Sequence, residues 1–345
     1  GTGNLPPFLD LNAFPDTSNA NSHFGAIAAG DFNGDSFKDL VLSSGEPGPR
    51  FYVVDSINTR TTIAVDLGDL KFRDSFGYTL AVGDFNADGF DDLVAGSAGQ
   101  DKGQSGFRPG NTFFFTGSAA GLSSTPSEVT QSNDVSFASA IATGDLNGDG
   151  IDDLIKGSPG HDTSFVDGNG ETMFLSASGL VLVGFGRPGA TGTGFGLQLI
   201  TAAVLPPAYK PIALGGTQPS LSFKNFGAAV TAGDFNGDGR DELVIGMPSF
   251  GSDAGFIAIF VSGIAPSSPF PSPIAEPIIF ESPDGASFGT SLLAGDFSGD
   301  GVDDLAVSAP GGDKIHLYFG SRGKSLSCPG CPRTGGLSQA IRQVL

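Results

Sequence analysis

Short apolar runs, bounded by Gly, Pro, Asp or Ser, recur along the chain: Leu40-Val-Leu42, Leu93-Val-Ala95, Leu154-Ile155, Leu243-Val-Ile245 and Leu305-Ala-Val307. Runs of this length suit buried strands and are too short for helices. A second set is longer and richer in aromatic residues, as in Asn111-Thr-Phe-Phe-Phe-Thr116 and Gly255-Phe-Ile-Ala-Ile-Phe-Val261. Each short run leads into a turn signal, Gly96-Ser-Ala-Gly99, Gly157-Ser-Pro-Gly160, Gly246-Met-Pro-Ser249 or Ser308-Ala-Pro-Gly311. With 54 Gly and 23 Pro in 345 residues and no alanine- or leucine-rich helical stretch, the pattern predicts an all-β, turn-rich fold.

Immediately before each short run stands an acidic nonapeptide, first seen as Asp31-Phe-Asn33-Gly-Asp35-Ser-Phe37-Lys-Asp39 and repeated from Asp84, Asp145, Asp234 and Asp296. Side-chain oxygens at positions 1, 3, 5 and 9 and a backbone carbonyl at position 7 can converge on one hard cation if the chain turns sharply at position 6. The candidate ligands are Asp31, Asn33, Asp35 and Asp39 with the carbonyl of Phe37, and Asp84, Asn86, Asp88 and Asp92 with that of Phe90. The third and fourth sets are Asp145, Asn147, Asp149 and Asp153 with Ile151, and Asp234, Asn236, Asp238 and Glu242 with Arg240. The fifth is Asp296, Ser298, Asp300 and Asp304 with Val302. Glycine fills position 6 in four copies, and Ser36 replaces it in the first.

An all-oxygen donor set with several carboxylates on a flexible loop favours calcium, which takes six to eight oxygens at about 2.4 Å, over magnesium, which retains its waters. Zinc would need His or Cys, and no loop contains either. An EF-hand is excluded, because its closing Glu at position 12 is replaced here by Leu42, Ala95, Lys156, Ile245 and Val307. The acid at position 9 closes the site instead, and the strand that follows makes each loop the turn of a β-hairpin. Five ions are expected, acting as structural clamps rather than catalysts.

Ahead of each first Asp lies Phe24-Gly25, Phe76-Gly77, Phe137-Ala138, Phe226-Gly227 or Phe288-Gly289. Phe-Gly, acidic loop and Gly-x-Pro exit in fixed order resemble the FG-GAP repeats of the integrin alpha-subunit head, a calcium-binding β-propeller. The repeat spacing points independently to a radial array of several-stranded units. The interval of 89 residues between Asp145 and Asp234 holds a further, degenerate copy: Phe195-Gly196 through Ala203 aligns with Phe226-Gly227 through Asp234. Its loop positions are Ala203, Leu205, Pro207 and Pro211, which cannot hold calcium. The count is therefore six blades, with seven, the usual number in the family, as the alternative. Ring closure is expected to pair residues near Leu5 to Leu11 with the strand around Ile315 to Phe319. The propeller spans 1–321, and 322–345 forms a tail that carries Cys328 and Cys331.

The net charge of −20 has a local origin, since nineteen of the 37 acidic residues lie in the five loops, and five divalent ions would halve it. It is therefore no sign of a basic partner. Seventeen scattered Lys and Arg without a basic run argue against nucleic acid. No apolar stretch is long enough for a membrane-spanning helix. The chain starts Gly1-Thr-Gly3 without Met or a signal sequence, which reads as a processed or excised form. Low-affinity calcium loops and a Cys-Pro-Gly-Cys suited to a disulfide favour an extracellular or cell-surface setting, or a periplasmic one. No Asn-x-Ser/Thr sequon is present.

Catalysis receives little support. His23, His161 and His316 are scattered, and Gly285-Ala-Ser287-Phe-Gly289 fits a nucleophile-elbow spacing but opens a repeat rather than a strand-to-helix turn. The resemblance places ligand-binding loops opposite the calcium loops. The long connections Ser97 to Asn111 (Asp101, Lys102, Phe107, Arg108) and Gly157 to Glu171 (His161, Asp162, Phe165, Asp167) are the candidates there. The leading expectation is a non-enzymatic, calcium-stabilised propeller for adhesion or assembly through protein or glycan contacts. A polysaccharide lyase or lectin on the same scaffold is the first alternative, weakened by the absence of Trp. A self-assembling subunit of an extracellular fibre or sheath is the second.

Overall fold

The computed structural model describes residues 24–44, 49–55, 60–66, 76–97, 100–101, 107–108, 110–132, 137–166, 172–175, 178–189, 196–201, 223–250, 255–260, 277–281, 287–322 and 338–339. Among these the fold is all-β, and the one helical element is a single 3-10 turn at Pro310–Gly312. No helix of the described residues is long and apolar enough to cross a membrane. The chain divides into two compact units, Gly1–Ser139 with Gly186–Phe195, and Ala140–Phe185 with Gly196–Leu345.

The first unit holds two antiparallel four-stranded sheets. One runs Phe24–Gly30, Asp39–Ser44, Arg50–Val54, Arg60–Ala64, and the other Thr79–Gly83, Asp92–Ser97, Gly110–Phe115, Glu128–Ser132. The second unit holds three more: Ala140–Gly144, Asp153–Ser158, Leu180–Phe185, Gly196–Thr201; then Ala229–Gly233, Glu242–Met247, Phe256–Phe260, Ile278–Glu281; then Leu292–Gly295, Asp304–Ala309, Lys314–Phe319, Ser338–Gln339. Every sheet is an up-and-down meander in chain order, as in the blades of a β-propeller.

Within each unit, sheet faces stack on one another, and the middle strands are the most buried. Asp92–Ser97, Asp153–Ser158 and Glu242–Met247 are buried at every position. This explains why their sequences read as continuous apolar runs rather than alternating ones. The cores accordingly form layers. Phe32, Val41, Phe51, Phe76, Leu93, Phe113 and Phe115 fill the space between the first two sheets. Phe226 and Leu243 join Ile155 and Val183 between the third and fourth, and Phe235, Val244, Leu305 and Tyr318 lie between the fourth and fifth.

The Phe-Gly signature has a packing cause. The rings of Phe76, Phe137, Phe226 and Phe288 are all buried, and the residue after each adopts a left-handed backbone. That bend aims its carbonyl at the exit of the preceding sheet's second strand. A Cβ on Gly157 would lie 2.1 Å from the carbonyl oxygen of Gly227, and one on Gly246 would lie 2.2 Å from that of Gly289. The Gly of the exit signal is therefore required by the Phe-Gly of the next repeat. Where Ser43 stands in the first sheet, its Oγ instead donates to the Gly77 carbonyl at 2.5 Å.

Among the described residues, the segment expected to open a sixth blade after Phe195 does not begin a sheet of its own. Gly196–Thr201 pairs along its whole length with Leu180–Phe185 as the fourth strand of the third sheet. The open edge of Leu180–Phe185 needs a partner, and the apolar segment supplies one. Five four-stranded sheets are present among the described residues. Positions 203, 205, 207 and 211 lie outside them, as do Leu5 to Leu11, Cys328 and Cys331. On one side of Lys314–Phe319 the described partners of Tyr318 and Phe319 are Gln339 and Ser338, and on the other Tyr318 pairs with Leu305.

Phe76 is 2% exposed and touches Phe51, Phe113 and Phe115 with ring centroids 5.4, 5.6 and 6.3 Å away. Phe76→Ala is expected to cost about 3–5 kcal/mol. Phe37→Ala, at a ring 66% exposed, should stay within about 0.5 kcal/mol. Urea unfolding of the two variants checks the contrast.

Candidate metal loops

All five acidic nonapeptides form the turn between the first and second strands of a sheet. Each closes on a cross-strand pair of the residue before position 1 and the acid at position 9: Gly30–Asp39, Gly83–Asp92, Gly144–Asp153, Gly233–Glu242 and Gly295–Asp304. The structure thus brings each sequence-derived set together in one hairpin loop.

Inside the loop the first Asp collects backbone amides. Asp31 Oδ1 accepts from the N–H of Gly34 at 2.7 Å and of Asp35 at 3.0 Å, while its Oδ2 accepts from Ser36 at 2.8 Å. Asp145 and Asp296 repeat all three bonds, through Gly148, Asp149 and Gly150 and through Gly299, Asp300 and Gly301. Asp84 and Asp234 accept from positions 5 and 6. Position 5 in turn accepts from the amide of position 7, so Asp35, Asp88, Asp149, Asp238 and Asp300 take the N–H of Phe37, Phe90, Ile151, Arg240 and Val302 at 2.9–3.0 Å. Asn33, Asn86 and Asn147 accept from position 5 in the same way. The fold demands a left-handed residue at position 6, where Ser36, Gly89, Gly150, Gly239 and Gly301 have φ of 69°, 86°, 82°, 86° and 80°.

Position 9 is buried in every copy: Asp39, Asp92, Asp153, Glu242 and Asp304 are at most 2% exposed. Asp92 Oδ1 accepts from the Gly117 N–H at 3.0 Å, whereas its Oδ2 is buried without a hydrogen-bond partner. Glu242 accepts from the Phe235 N–H and the Asn236 amide, and Asp304 from the N–H groups of Ser298 and Gly320. Burial, reinforced by the charges of Asp88 and Asp84, pushes the Asp92 carboxyl up to about 7. Burial and then Asp238, Asp234 and Asp241 push Glu242 up to about 8. Asp296, fully exposed, is instead held low, mainly by the Gly301 amide.

Among the described residues no three His, Cys, Asp or Glu side chains are gathered closely enough to hold a metal by themselves. The fit to calcium rests on donor chemistry instead: an all-oxygen set, a partnerless buried carboxylate oxygen at Asp92, and closing acids that resist ionisation without a counter-charge. In that fit, positions 1, 3, 5 and 9 and the position 7 carbonyl would hold the ion, which would supply positive charge to carboxylates that otherwise repel.

Two features went unassigned in the sequence. Asp stands at position 8 of four loops, and Asp91, Asp241 and Asp303 each bond to a neighbouring loop, across 60, 96 and 69 residues of separation respectively. The Gly-Ser after a third strand, Gly117-Ser118 and Gly320-Ser321, caps Asp92 or Asp304 and ties Ser118 to the Phe32 carbonyl and Ser321 to that of Phe235. The recurrence of Phe-x-Gly-Ser and Phe-Gly-Ser was the available signal for the second. Ser287 belongs to a tight turn that places the Phe288 ring in the core, and its carbonyl accepts from Thr290 Oγ1 at 2.6 Å. It is no nucleophile elbow. The two long connections each contain a short hairpin, Gln100–Asp101 with Phe107–Arg108 and Thr163–Val166 with Thr172–Leu175. Joining second to third strands, they sit at the end of their sheets opposite the acidic loops.

Meander sheets with an acidic loop in the first hairpin and a Phe-Gly packed on the preceding exit Gly define one repeat class. The chain carries FG-GAP repeats: the FG-GAP repeat family profile matches residues 76–108, 137–172, 226–260 and 288–325. The first sheet lies outside these matches yet has the same loop hydrogen bonds. The chain is similar to integrin alpha-IIb of Mus musculus, with 30% identity over 288 residues, 81% of this chain and 24% of that protein. Integrin alpha-8 of Gallus gallus is 32% identical over 165 residues, 46% of this chain and 15% of that protein. The chain therefore spans a quarter or less of the length of these relatives. Among solved structures, a rhamnogalacturonan lyase of Bacillus licheniformis matches with a TM-score of 0.42 at 12% identity, covering 86% of this chain and 49% of that one.

Two outcomes follow from the loop geometry. Ser36→Gly removes a left-handed non-glycine residue and should stabilise the protein by about 1 kcal/mol, read as a raised Tm. In chelator, Asp92 and Glu242 have folded pKa values of about 7 and about 8, above their ordinary 3.8 and 4.5. Their contribution is full below about pH 4 and is lost progressively until pH passes 7 and 8, because the unfolded chain releases these protons first. Chelated protein should thus melt at lower temperature at pH 8.5 than at pH 6, and a flat Tm across that range would contradict the assignment.

Proposed function

We infer that the chain is an extracellular, calcium-stabilised FG-GAP propeller that works in adhesion or assembly by binding a protein or glycan, without catalysing a reaction. The observation that carries this is the fivefold recurrence of one loop, with the same amide-capped first Asp and the same buried closing acid. Five solvated turns under no common constraint would not share that geometry. Calcium in each loop offsets the repulsion among its carboxylates and locks the hairpin, which keeps the sheet's opposite end rigid.

The ligand-binding surface in this reading is formed by the connections between second and third strands. The family resemblance puts ligand contacts on that side, and the hairpins at 100–108 and 163–175 give it relief. The setting is the cell surface or extracellular space, where calcium is abundant enough for loops of this kind.

Thermal unfolding in calcium, magnesium and chelator tests the clamp. A single site saturated at 100 times its Kd adds about 2.7 kcal/mol, so several sites should raise Tm well beyond any magnesium effect. An unchanged Tm would refute the calcium reading. Incubation with acidic polysaccharides should release no unsaturated product, and steady release would overturn the non-catalytic assignment.

A further inference from the structure

The acidic loops are tied to one another as well as closed on themselves. The N–H of Asp31 donates to Asp91 Oδ2 at 2.7 Å, and the N–H of Asp91 donates back to the Asp31 carbonyl at 3.0 Å. The same reciprocal pair joins Asp145 to Asp241, at 2.9 and 2.9 Å, and Asp234 to Asp303, at 3.1 and 3.2 Å. Each clasp links position 1 of one loop to position 8 of the loop in the adjacent sheet.

Position 7 side chains close over the same junction. A Cβ on Gly34 would lie 2.7 Å from the Phe90 ring, and one on Gly148 would lie 2.7 Å from Arg240 Nε. At Gly299, in the fifth loop, nothing lies within 4 Å of such a Cβ.

Both ends of a clasp adjoin metal donors. Position 1 is the loop's first ligand, and position 8 is bonded directly to the closing acid, Asp92, Glu242 or Asp304. An ion that fixes positions 8 and 9 of one loop therefore fixes the backbone of position 1 in the loop before it, and thermodynamic reciprocity requires the converse. We propose that Asp91, Asp241 and Asp303 are positioning residues that couple calcium uptake between neighbouring loops, the first with the second, the third with the fourth, and the fourth with the fifth. The coupling rests on the calcium reading above. These three residues hold no ion; they hold the neighbour's first ligand. Asp91 also pairs with Lys38 Nζ at 2.6 Å, so Asp241 gives the cleaner test.

The measurement is calcium-dependent hydrogen–deuterium exchange in the peptide 145–153, the loop that Asp241 clasps without belonging to it. Asp241→Ala should raise the calcium concentration for half-protection there by about tenfold, within the usual span of coupling between sites. Asp241→Asn keeps an acceptor oxygen and should restore most of the loss. A wild-type midpoint in Asp241→Ala, or an Asn variant as weak as Ala, would overturn the proposal. Asp145→Ala separates the two readings. If it removes one bound ion while Asp241→Ala changes nothing, the coupling alone fails. If it leaves the ion count and the protection unchanged, the calcium reading fails and takes the coupling with it. Should Asp241→Ala not fold, Asp303→Ala read in the peptide 234–242 carries the same tenfold expectation, and an unshifted midpoint there is equally contradictory.

Discussion

The structure depends on how each sheet handles the carboxylates crowded at one end of its first hairpin. Three or four acidic residues occupy every nine-residue loop, and the closing acid is buried. Backbone amides neutralise part of that charge: the first Asp of the third loop alone accepts three N–H groups. Burial first, and then the neighbouring carboxylates, push the Asp92 and Glu242 carboxyls up to about 7 and about 8. A hairpin built this way is poised between protonation, strain and a cation. In the calcium reading proposed above, an ion held in an all-oxygen cage would resolve the conflict by supplying positive charge.

From that end the constraint spreads along the sheets. The closing acid is the first residue of the buried second strand, so the loop sets where that strand starts and hence its register with both neighbours. At the far end, the exit Gly of the same strand receives the Phe-Gly carbonyl of the next repeat. Both ends of one strand are thus tied to a neighbouring sheet, through Asp241 and Asp145 at the acidic end and through Gly246 and Gly289 at the other. Stability in such an array is expected to be a sum of repeat and interface contributions rather than the property of one core.

The parts legible in the sequence were those fixed by local spacing. Acid positions, turn residue and following strand sit within about fifteen residues, and the loops formed as spaced, including the first, where Ser36 replaces Gly. The misreading at Phe195-Gly196 arose because a Phe-Gly before an apolar run looks alike whether it opens a sheet or completes one. Only the pairing of Gly196–Thr201 with Leu180–Phe185 distinguishes the two. Asp91, Asp241 and Asp303 were visible as charge but not as bridges, since their partners lie 60 to 96 residues away. Burial on both faces erased the alternation of the middle strands, yet the shortness of their apolar runs still marked them as strands.

The most direct measurement is the number of calcium ions bound per chain, by elemental analysis after equilibrium dialysis at millimolar calcium. Five ions per chain, falling to four when Asp145 is replaced by Ala, would agree with one cage per acidic hairpin. A chain that retains no calcium under these conditions, yet keeps its fold, would contradict the account at its centre.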